Sequence, residues 1–370
     1  MCIIEELERA GANVSHQGYY YRLSSIIKIL IMRLMCRMTT LSDIHAWAIS
    51  KRVREMLEET FGITKIPCYS HLTNLVGMID AEELNKIFME FFAKLVGVVT
   101  GKTIAIDGKT ICSTANMGHF KNPLHIASAF VVENGITIGQ LAADAKSNEI
   151  PAVRELIRLL DVEGATIVMD ALNCQVATVN EILSAGADYV LSVKKNQRNL
   201  FDDIAEMMEF KQSDLCELKN SPLEKASQIE KGHGRIESRT ALITHEIDWL
   251  NSRHKFKGIQ AIGAIVTQNE VRYYISSRKL TAKELLDITR SQWSVEAMHW
   301  QLDVIFGEDI TTLHDANTQL VLNILRKAVL NMLKTYQTKH EPKSSITGIT
   351  RKCLHDTDVL LDILGKFSDC

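Results

Sequence analysis

The sequence predicts an α/β protein in which a mixed five-stranded sheet with flanking helices follows an all-helical segment and is interrupted by a β-rich insertion. Three observations predict this class. Apolar residues recur at helical spacing up to about residue 98. Strand and helix patterns then alternate between residues 103 and 195. A second group of short strands, residues 235–277, precedes the return of helical spacing.

The composition is that of a globular protein without a membrane segment. With 370 residues, 46% of them apolar, the chain can bury a large core and should divide into two or three units. The net charge of −3 argues mildly against a partner recognised by bulk charge, so any DNA contact needs local basic patches. The most apolar run, residues 26–35, contains Lys28 and Arg33 and is too short to span a bilayer.

The eight cysteines favour a reducing compartment. They lie far apart and form no Cys-x-x-Cys pair, which argues against a zinc site and against a disulfide framework. The start of the chain, residues 1–11, is acidic and does not have the pattern of a signal peptide. We therefore expect a cytoplasmic protein.

Residues 20–98 are predicted to form helices. Apolar positions at helical spacing fall in four segments, at residues 23–38, 41–57, 70–79 and 81–96. Ser42 and Asp80 are predicted N-caps. A helical domain before a catalytic domain could grip DNA ends, and Lys51, Arg52 and Arg54 supply some charge; the alternative is a bundle that only packs on the rest of the protein.

Between residues 103 and 195 the order of elements is informative. Strands are predicted at residues 103–107, 124–133 and 136–143, the last two joined at Asn134-Gly135, a strong hairpin signal. A helix capped at Ser147-Asn148, a strand at residues 165–169, a helix at residues 175–184 and a strand at residues 189–193 follow. Three strands, then helix, strand, helix, strand is the order of a ribonuclease-H-like domain. That architecture carries an acid on its first strand and another at the end of its fourth, where Asp107 and Asp170 fall.

Asp107 is the candidate around which the rest is arranged. An apolar strand is predicted to end at this carboxylate, with Gly108 turning the chain, and a ligand on a rigid strand suits metal catalysis. Asp-Gly is also common turn chemistry, so a simple turn carboxylate is the alternative. A phosphate-binding P-loop is excluded because Thr103 stands where it needs glycine, and a phospho-aspartate site because Lys109 stands where it needs an acid.

A basic polar cluster, residues 194–198, and a β-rich block follow the fifth predicted strand. Strands at residues 235–247, 258–267 and 271–277 form an apparent insertion. A helix with a capping box at Thr281 is predicted to run to about residue 305. The helical spacing puts two tryptophans and two acids on one face of it: Trp293, Glu296, Trp300 and Asp303. Such a tryptophan stripe is usually core, but that interpretation explains the acids poorly.

The predicted domains are residues 1–98, helical and a candidate for DNA binding; 99–200, the first part of the catalytic core; 201–278, the insertion; and 279–370, the second part of the core with the C-terminal helices. The C-terminal helices are predicted at residues 317–336 and 355–364.

Six segments, taken in order, resemble the H-repeat-associated transposases of bacterial insertion sequences, members of the DDE superfamily. They are Ile106-Asp107-Gly108-Lys109-Thr110, Asp144-Ala145-Lys146-Ser147-Asn148-Glu149-Ile150, Asp170-Ala171-Leu172-Asn173-Cys174-Gln175, Gly232-His233-Gly234-Arg235-Ile236-Glu237, Tyr273-Tyr274-Ile275-Ser276-Ser277 and His299-Trp300-Gln301-Leu302-Asp303-Val304-Ile305-Phe306-Gly307-Glu308-Asp309. The resemblance spans nearly the whole chain. It implies a ribonuclease-H-like catalytic domain with Asp107, Asp170 and Glu296 as catalytic triad and metal ligands.

The chain departs from the superfamily pattern near its third acid. Thr289, Gln292 and Asp303 occupy positions where the superfamily has Tyr, Arg and Lys, and Ala297 stands where the family usually has Asn. After Thr110, Ile111-Cys112-Ser113 replaces the usual Leu-Arg-Gly. These departures affect how the transferred strand would be held.

The implied reaction is metal-dependent cleavage and transfer of DNA strands at the ends of an insertion sequence. Two Mg²⁺ (or Mn²⁺) ions fit hard oxygen ligands. We expect double-stranded DNA, as transposon ends and target, as the partner, a homodimer on that DNA, and a location at the bacterial nucleoid. The predicted phosphate contacts, for which solvated surface charge is the alternative, are Lys194, Lys195, Arg198, His233, Arg235 and Arg239.

Two alternatives to an active transposase stay open at this point: an inactive DNA-binding relic and a stand-alone nuclease of the same fold. A choice is also needed between two acids of one helix face. Glu296 and Asp303 lie about 10 Å apart along the axis, so one metal pair cannot easily use both. The resemblance favours Glu296, and Asp303 is expected to pair with a lysine or arginine that braces the helix.

Overall fold

The computed structural model describes residues 21–111, 123–143, 149–214, 223–232, 235–310 and 315–367. A single nine-stranded sheet, in the order β3-β2-β1-β4-β5-β9-β8-β7-β6, runs through them. β1 pairs in parallel with β4, and β4 with β5, while the other neighbours are antiparallel. The strands are β1 (Thr103–Thr110), β2 (His125–Val131), β3 (Ile136–Ala142), β4 (Thr166–Met169), β5 (Asp188–Val193), β6 (Glu224–Gly232), β7 (Arg235–Thr244), β8 (Ala261–Val266) and β9 (Val271–Ser276).

The α/β class is confirmed, but the sheet has nine strands where the sequence predicted five and a separate β-rich insertion. The four later strands extend the same sheet, because β9 pairs antiparallel with β5. Without β9, the buried strand β5 would expose a row of unpaired N–H and C=O groups at an open edge. The apolar hairpin of β8 and β9 covers that edge and is itself buried on both faces.

The N-terminal helices are α1 (Leu23–Met35), α2 (Leu41–Ala48), α3 (Lys51–Phe61), α4 (Tyr69–Gly77) and α5 (Ala81–Val96). Asp80 caps α5 as predicted, since its carboxylate accepts hydrogen bonds from the backbone N–H groups of Glu82 and Glu83. The predicted cap Ser42 is wrong: α2 begins one residue earlier, and Thr40 accepts the capping hydrogen bond from the N–H of Asp43 at 3.1 Å.

The remaining helices are α6 (Glu149–Leu159), α7 (Val176–Ser184), α8 (Arg198–Asp214), α9 (Ala282–Ser291), α10 (Trp293–Phe306), α11 (Ala316–His340), α12 (Ile346–His355) and α13 (Thr357–Gly365). The predicted cap of α6 at residues 147–148 lies outside the described residues. None of the helices in the described ranges is long and apolar enough to cross a membrane.

The helix predicted from Thr281 to about residue 305 is two helices separated at Gln292. The predicted capping box at Thr281 is present. Near the break the hydroxyl of Thr289 donates to the carbonyl of Leu285 at 2.7 Å, and that of Ser291 donates to the carbonyl of Ile288 at 2.7 Å. Hydroxyls that engage carbonyls of the preceding turn often bend a helix, and Gln292 itself keeps right-handed helical dihedral angles between α9 and α10.

The two faces of the sheet are covered by different helices. Asp107, Ser128 and Gln140 are register partners across β1, β2 and β3, so their side chains share one face. Lys327 of α11 donates to Ser128 and Gln140 on that face. On the opposite face, Gly139 lies against leucines of α6. Residues 107 and 108 therefore point toward different helical layers.

Candidate active site

A row of polar residues crosses the centre of the sheet where β4 ends, beside the middle of β1. Ala105 pairs with Val168, so continuing that parallel register by two residues puts Asp107 beside Asp170. The same extension from Met169 and Leu191 puts Asp170 beside Ser192, which pairs with Tyr274 on β9. These side chains line one cavity of about 260 Å³. The sheet thus brings Asp107 and Asp170 together, as their positions at strand ends predicted.

Glu296 reaches the same cavity from α10. It lies one helical turn after Trp293, which also lines the cavity. Asp107, Asp170 and Glu296 are thus supplied by a strand, a strand end and a helix. Asp303, two turns further along α10, does not line this cavity.

The carboxylates are close enough to repel one another. Burial raises the pKa of Asp107 to about 7, helped by the negative charges of Asp170, Glu149 and Glu296. Both causes, burial and neighbouring negative charge, disfavour the ionised form of the carboxyl group. Strongly perturbed acids in a cavity are typical of functional sites.

The sequence suggested that Gly108 turns the chain. This is wrong, because β1 continues through Gly108 to Thr110. Because Gly108 has no side chain, it leaves space for a neighbouring residue. A Cβ at residue 108 would overlap the carboxylate of Glu149, the first residue of α6. Glu149 is buried and approaches Asp107 from the other face of the sheet. The Asp-Gly pair therefore allows a second acid to approach the strand.

Asn173 connects two of the acids. Its side-chain amide donates to Oε1 of Glu149 at 2.9 Å and to Oδ1 of Asp170 at 3.2 Å. The loop that carries Asn173 is held in turn by Asn196, whose amide donates to the carbonyl of Ala171 at 2.6 Å. Part of the predicted basic cluster after β5 thus braces the loop that positions Asp170.

His299 contacts Asp107 without forming an ion pair. Its Nδ1 lies 3.6 Å from Oδ2 of Asp107. Burial, together with the positive charges of Lys327 and Lys109, lowers the pKa of His299 to about 3. The ring is therefore neutral and adds no positive charge to the acids.

Lys109 fulfils the expectation of a cation that pairs with Asp303. The same ammonium group lies 2.8 Å from Oε2 of the buried Glu308, which also accepts a hydrogen bond from Asn323 of α11. Burial alone would raise the pKa of Glu308, but Lys109, Lys327 and Arg326 together hold it below its ordinary value. Lys109 is therefore anchored to α10 through Asp303 and, by way of Glu308, to Asn323 of α11.

The predicted phosphate-contacting residues do not share one environment. Lys194 lines the cavity with the acids. Lys195 and Arg198 follow Lys194 in the sequence, and both are exposed. Arg239 is buried on β7, where its charge acts on Tyr274 and Glu270, and a buried guanidinium is poorly placed to meet a phosphate. His233 lies outside the described residues, as does the side chain of Arg235 at the start of β7.

The tryptophan stripe is not core. Trp293 and Trp300 expose 42% and 59% of their surface on either side of Glu296. The usual interpretation of such a stripe is therefore wrong here. The helix turns its apolar residues Val295, Met298 and Leu302 to the interior and leaves both indole rings outside.

The positions that depart from the superfamily pattern have separate surroundings. Gln292 lines the cavity, Thr289 is buried in α9, and Asp303 pairs with Lys109. The positive charge in the cavity comes instead from Lys194 and from Arg272 of β9.

The donor set suits a hard divalent cation in its chemistry. Carboxylate oxygens that repel one another, without cysteine or a charged histidine, are the ligands that Mg²⁺ and Mn²⁺ prefer. Within the described ranges, no three His, Cys, Asp or Glu side chains are arranged closely enough to hold an ion as they stand. The acids line one cavity but do not converge on one point.

Sequence reasoning missed Glu149, Asn173 and Arg272. Glu149 and Asn173 lie within motifs that carried the family resemblance, and that was the available signal. Their proximity to Asp107 and Asp170 depends on how α6 and a loop pack, which local pattern does not reveal. Arg272 belongs to a strand interpreted as part of a separate insertion.

The transposase DDE domain family matches residues 99–332 of the chain. The chain is 33% identical over 317 residues to YncI of Escherichia coli O157:H7, a transposase by name, covering 82% of this chain and 79% of that protein. It is 29% identical over 314 residues to YhhI of Escherichia coli K12, an H repeat-associated transposase by name, covering 81% of each. The cryo-EM structure of a piggyBac transposase synaptic complex with hairpin DNA matches with a TM-score of 0.51 and 13% identity, covering 99% of this chain and 78% of that one.

Proposed function

The chain belongs to the transposase DDE domain family, and on that premise we propose that it cleaves DNA strands at the ends of an insertion sequence and transfers them to a target. Asp107, Asp170 and Glu296 are the proposed catalytic residues. The substrate is double-stranded DNA, as transposon ends and as target, and we propose that the chain acts on it as a homodimer.

One observation carries this proposal. Acids from β1, from the end of β4 and from α10 line one cavity, and burial, together with the negative charges of neighbouring acids, raises the pKa of Asp107 to about 7. A protein gains nothing in stability from such a cluster, since like charges at close range destabilise the fold. A bound cation offsets that cost, which supports a metal-dependent role.

The three acids would hold two Mg²⁺ or Mn²⁺ ions, with Glu149 as a further carboxylate beside Asp107. When bound, such ions would activate the attacking water or 3′-hydroxyl and stabilise the leaving oxygen. Asn173 keeps Asp170 and Glu149 in place through its two hydrogen bonds. Lys194 and Arg272, whose guanidinium also pairs with Glu270, line the same cavity and would contact the phosphate of the reacting strand.

Binding of DNA outside the cavity would use phosphate contacts. Lys195 and Arg198 are exposed after β5, and Arg235 begins the β7 strand of the long β6–β7 hairpin. Such contacts fix position and affinity without reading sequence. Lys194 belongs to these proposed phosphate contacts. Arg239 is buried and is not proposed to contact a phosphate.

The test is a combined cleavage and strand-transfer assay. Donor DNA carries the sequences that flank the gene, a supercoiled plasmid serves as target, and Mg²⁺ or Mn²⁺ is added. Wild-type protein should cleave and join. The variants Asp107→Asn, Asp170→Asn and Glu296→Gln should lose both reactions while still binding the donor ends.

Asp362→Asn is the matched control, because Asp362 lies on α13 and pairs only with the helix neighbour Lys366 among the contacts described. It should retain full activity. Cleavage without joining would identify a nuclease, and binding without cleavage an inactive relic. More than a few per cent of wild-type cleavage in any triad variant would overturn the assignment of that residue.

A further inference from the structure

α10 brings a second side chain to Asp107 besides Glu296. His299 follows Glu296 by three residues, so the two occupy neighbouring positions on the helix surface, about 4.5 Å apart along its axis. Nδ1 of His299 lies 3.6 Å from Oδ2 of Asp107. The proposed chemistry assigns no role to this ring, although it contacts the first acid of the site.

The ring of His299 is held in a buried position. The residue is 9% exposed, and its helix neighbours Met298 and Leu302 belong to the core. Within the described part of the chain, its Nε2 atom is buried and has no hydrogen-bond partner. A buried polar atom without a partner is uncommon in folded proteins and calls for a reason. Nδ1 is therefore the ring atom through which His299 makes its polar contact.

The surroundings of the ring favour one tautomer. A neutral imidazole carries a single N–H group, on either Nδ1 or Nε2. Burial and the positive charges of Lys327 and Lys109 keep the ring neutral. A proton on Nε2 would be a buried donor without an acceptor, whereas a proton on Nδ1 faces the carboxylate of Asp107. The geometry therefore favours the Nδ1–H tautomer.

A neutral donor at this place suits a carboxylate that binds a cation. Ligating carboxylates are themselves hydrogen-bonded by the surrounding protein, which fixes their orientation. Asp170 receives such a bond from the amide of Asn173, at 3.2 Å. A charged donor beside Asp107 would repel an incoming cation, while a neutral N–H group orients the carboxylate without adding charge.

We propose that His299 is a positioning residue, which donates a hydrogen bond from Nδ1 to Asp107 and fixes the orientation of that carboxylate for metal binding. The separation of the two atoms exceeds a hydrogen bond by about half an ångström, which a small rotation of either side chain removes. His299 itself is assigned no contact with a metal or with DNA. The inference rests on the proposed function and adds to it the residue that prepares the first acid.

The experiment compares two amide variants, His299→Asn and His299→Gln. The amide of asparagine can place an N–H group near the position of Nδ1, and that of glutamine near the position of Nε2. Mn²⁺ affinity is measured by electron paramagnetic resonance without DNA, and Asp107→Asn shows how much of the binding belongs to this site. His299→Asn should bind Mn²⁺ within about threefold of wild type, and His299→Gln at least about tenfold more weakly, the scale typical of a lost partner of a metal ligand.

A second measurement reads the tautomer in the metal-free wild-type protein. In protein labelled with ¹⁵N-histidine, long-range NMR correlations show which ring nitrogen carries the proton. The signal of His299, identified by its change in Asp107→Asn, should report Nδ1–H. His245 is the internal reference, because its Nε2 lies 2.9 Å from the carbonyl of Leu280 and should report Nε2–H.

His245→Gln is the matched control for the affinity measurement. His245 follows β7 and does not line the cavity of the acids, and glutamine can keep the hydrogen bond to Leu280. This variant should bind Mn²⁺ as wild type does.

The outcomes separate this inference from the proposed function. Wild-type Mn²⁺ affinity in His299→Gln, or an Nε2–H tautomer for His299, overturns the positioning role and leaves the proposed function standing. Equal losses of Mn²⁺ affinity and of thermal stability in both His299 variants assign the ring to packing and also overturn the role. If neither variant folds, the tautomer decides alone. Absence of any Mn²⁺ binding that depends on Asp107 overturns both proposals.

Discussion

At Asp107, three neighbouring carboxylates leave the metal-free site with repulsion that the protein does not neutralise. Burial and these charges raise its pKa to about 7 from an ordinary value of 3.8. The folded state therefore binds more protons than the unfolded state between these values, so this group lowers stability as pH rises from about 4 to about 7. The penalty is fully present above pH 7.

Asp107→Asn should therefore stabilise the metal-free protein while abolishing cleavage. At pH 8 the gain in the free energy of unfolding should be at most about 4 kcal/mol, and it should vanish near pH 4. Denaturant unfolding at both pH values, in the presence of a chelator, measures it. A variant that is less stable than wild type at pH 8 would show that the repulsion is relieved in the metal-free protein by other means.

A substitution at Gly108 tests the role of Glu149 without removing any carboxylate from the chain. Gly108→Ala should push the Glu149 carboxylate away from Asp107, because a Cβ there overlaps it. We expect weaker stabilisation by Mn²⁺ in thermal unfolding and at least about a tenfold loss of cleavage, a scale typical of disturbed metal surroundings. Gly365→Ala is the control, since nothing lies within 4 Å of a Cβ at that position. Unchanged stabilisation by Mn²⁺ in Gly108→Ala would exclude Glu149 from the metal site.

Of these residues, sequence patterns revealed those whose position follows from a strand end or helix spacing. Asp170 directly follows β4, and Asp107 lies beside it within the parallel neighbour β1. Asp303 was expected to find a cation, which proved to be Lys109. Glu149 could not be found this way. Its contact with residue 108 arises from packing of α6 across the sheet, over some forty residues of intervening chain.

At the scale of elements, β1 is fixed to α10 and α11 through the buried charge of Lys109. Glu308 has only 1% of its side chain exposed, whereas Asp303 is 32% exposed and can be solvated without Lys109. Removing one partner of a buried pair leaves a buried charge without compensation. The two acids should therefore differ in their contribution to stability, although both contact the same ammonium group.

Glu308→Gln should lower the free energy of unfolding by about 3–5 kcal/mol. Asp303→Asn should lower it by about 1 kcal/mol or less and leave cleavage within a few-fold of wild type. Equilibrium unfolding and the cleavage assay give both numbers. Loss of cleavage in Asp303→Asn with wild-type activity in Glu296→Gln would mean that the third ligand has been misassigned.

For the whole molecule, the sequence predicted the α/β class and the order of the first five strands, and it did not predict that the sheet continues. Short runs of apolar and aromatic residues identify β8 and β9 as strands but do not say which edge they join. The pairing of β9 with β5 depends on contacts about eighty residues apart in the chain. That pairing brings Arg272 and Tyr274 into the cavity.

Affinity for DNA belongs to the whole molecule, because its net charge of −3 provides no general attraction. Charge removal at Lys194, Lys195 or Arg198 should weaken binding to all DNA sequences alike. Each lost phosphate contact should reduce the slope of log affinity against log salt by about 0.9. Titrations at several salt concentrations measure the slope, with Lys352→Ala as the control because Lys352, on α12, pairs with Glu341. An unchanged slope would remove that residue from the DNA contacts.

The central claim is that Asp107, Asp170 and Glu296 form one metal site, and anomalous diffraction from crystals soaked in Mn²⁺ tests it most directly. The account predicts two anomalous peaks in the cavity between β1, β4 and α10, each within bonding distance of at least one of these carboxylates, and their loss in Asp107→Asn. Ordered Mn²⁺ bound elsewhere on the chain, with an empty cavity, would contradict it.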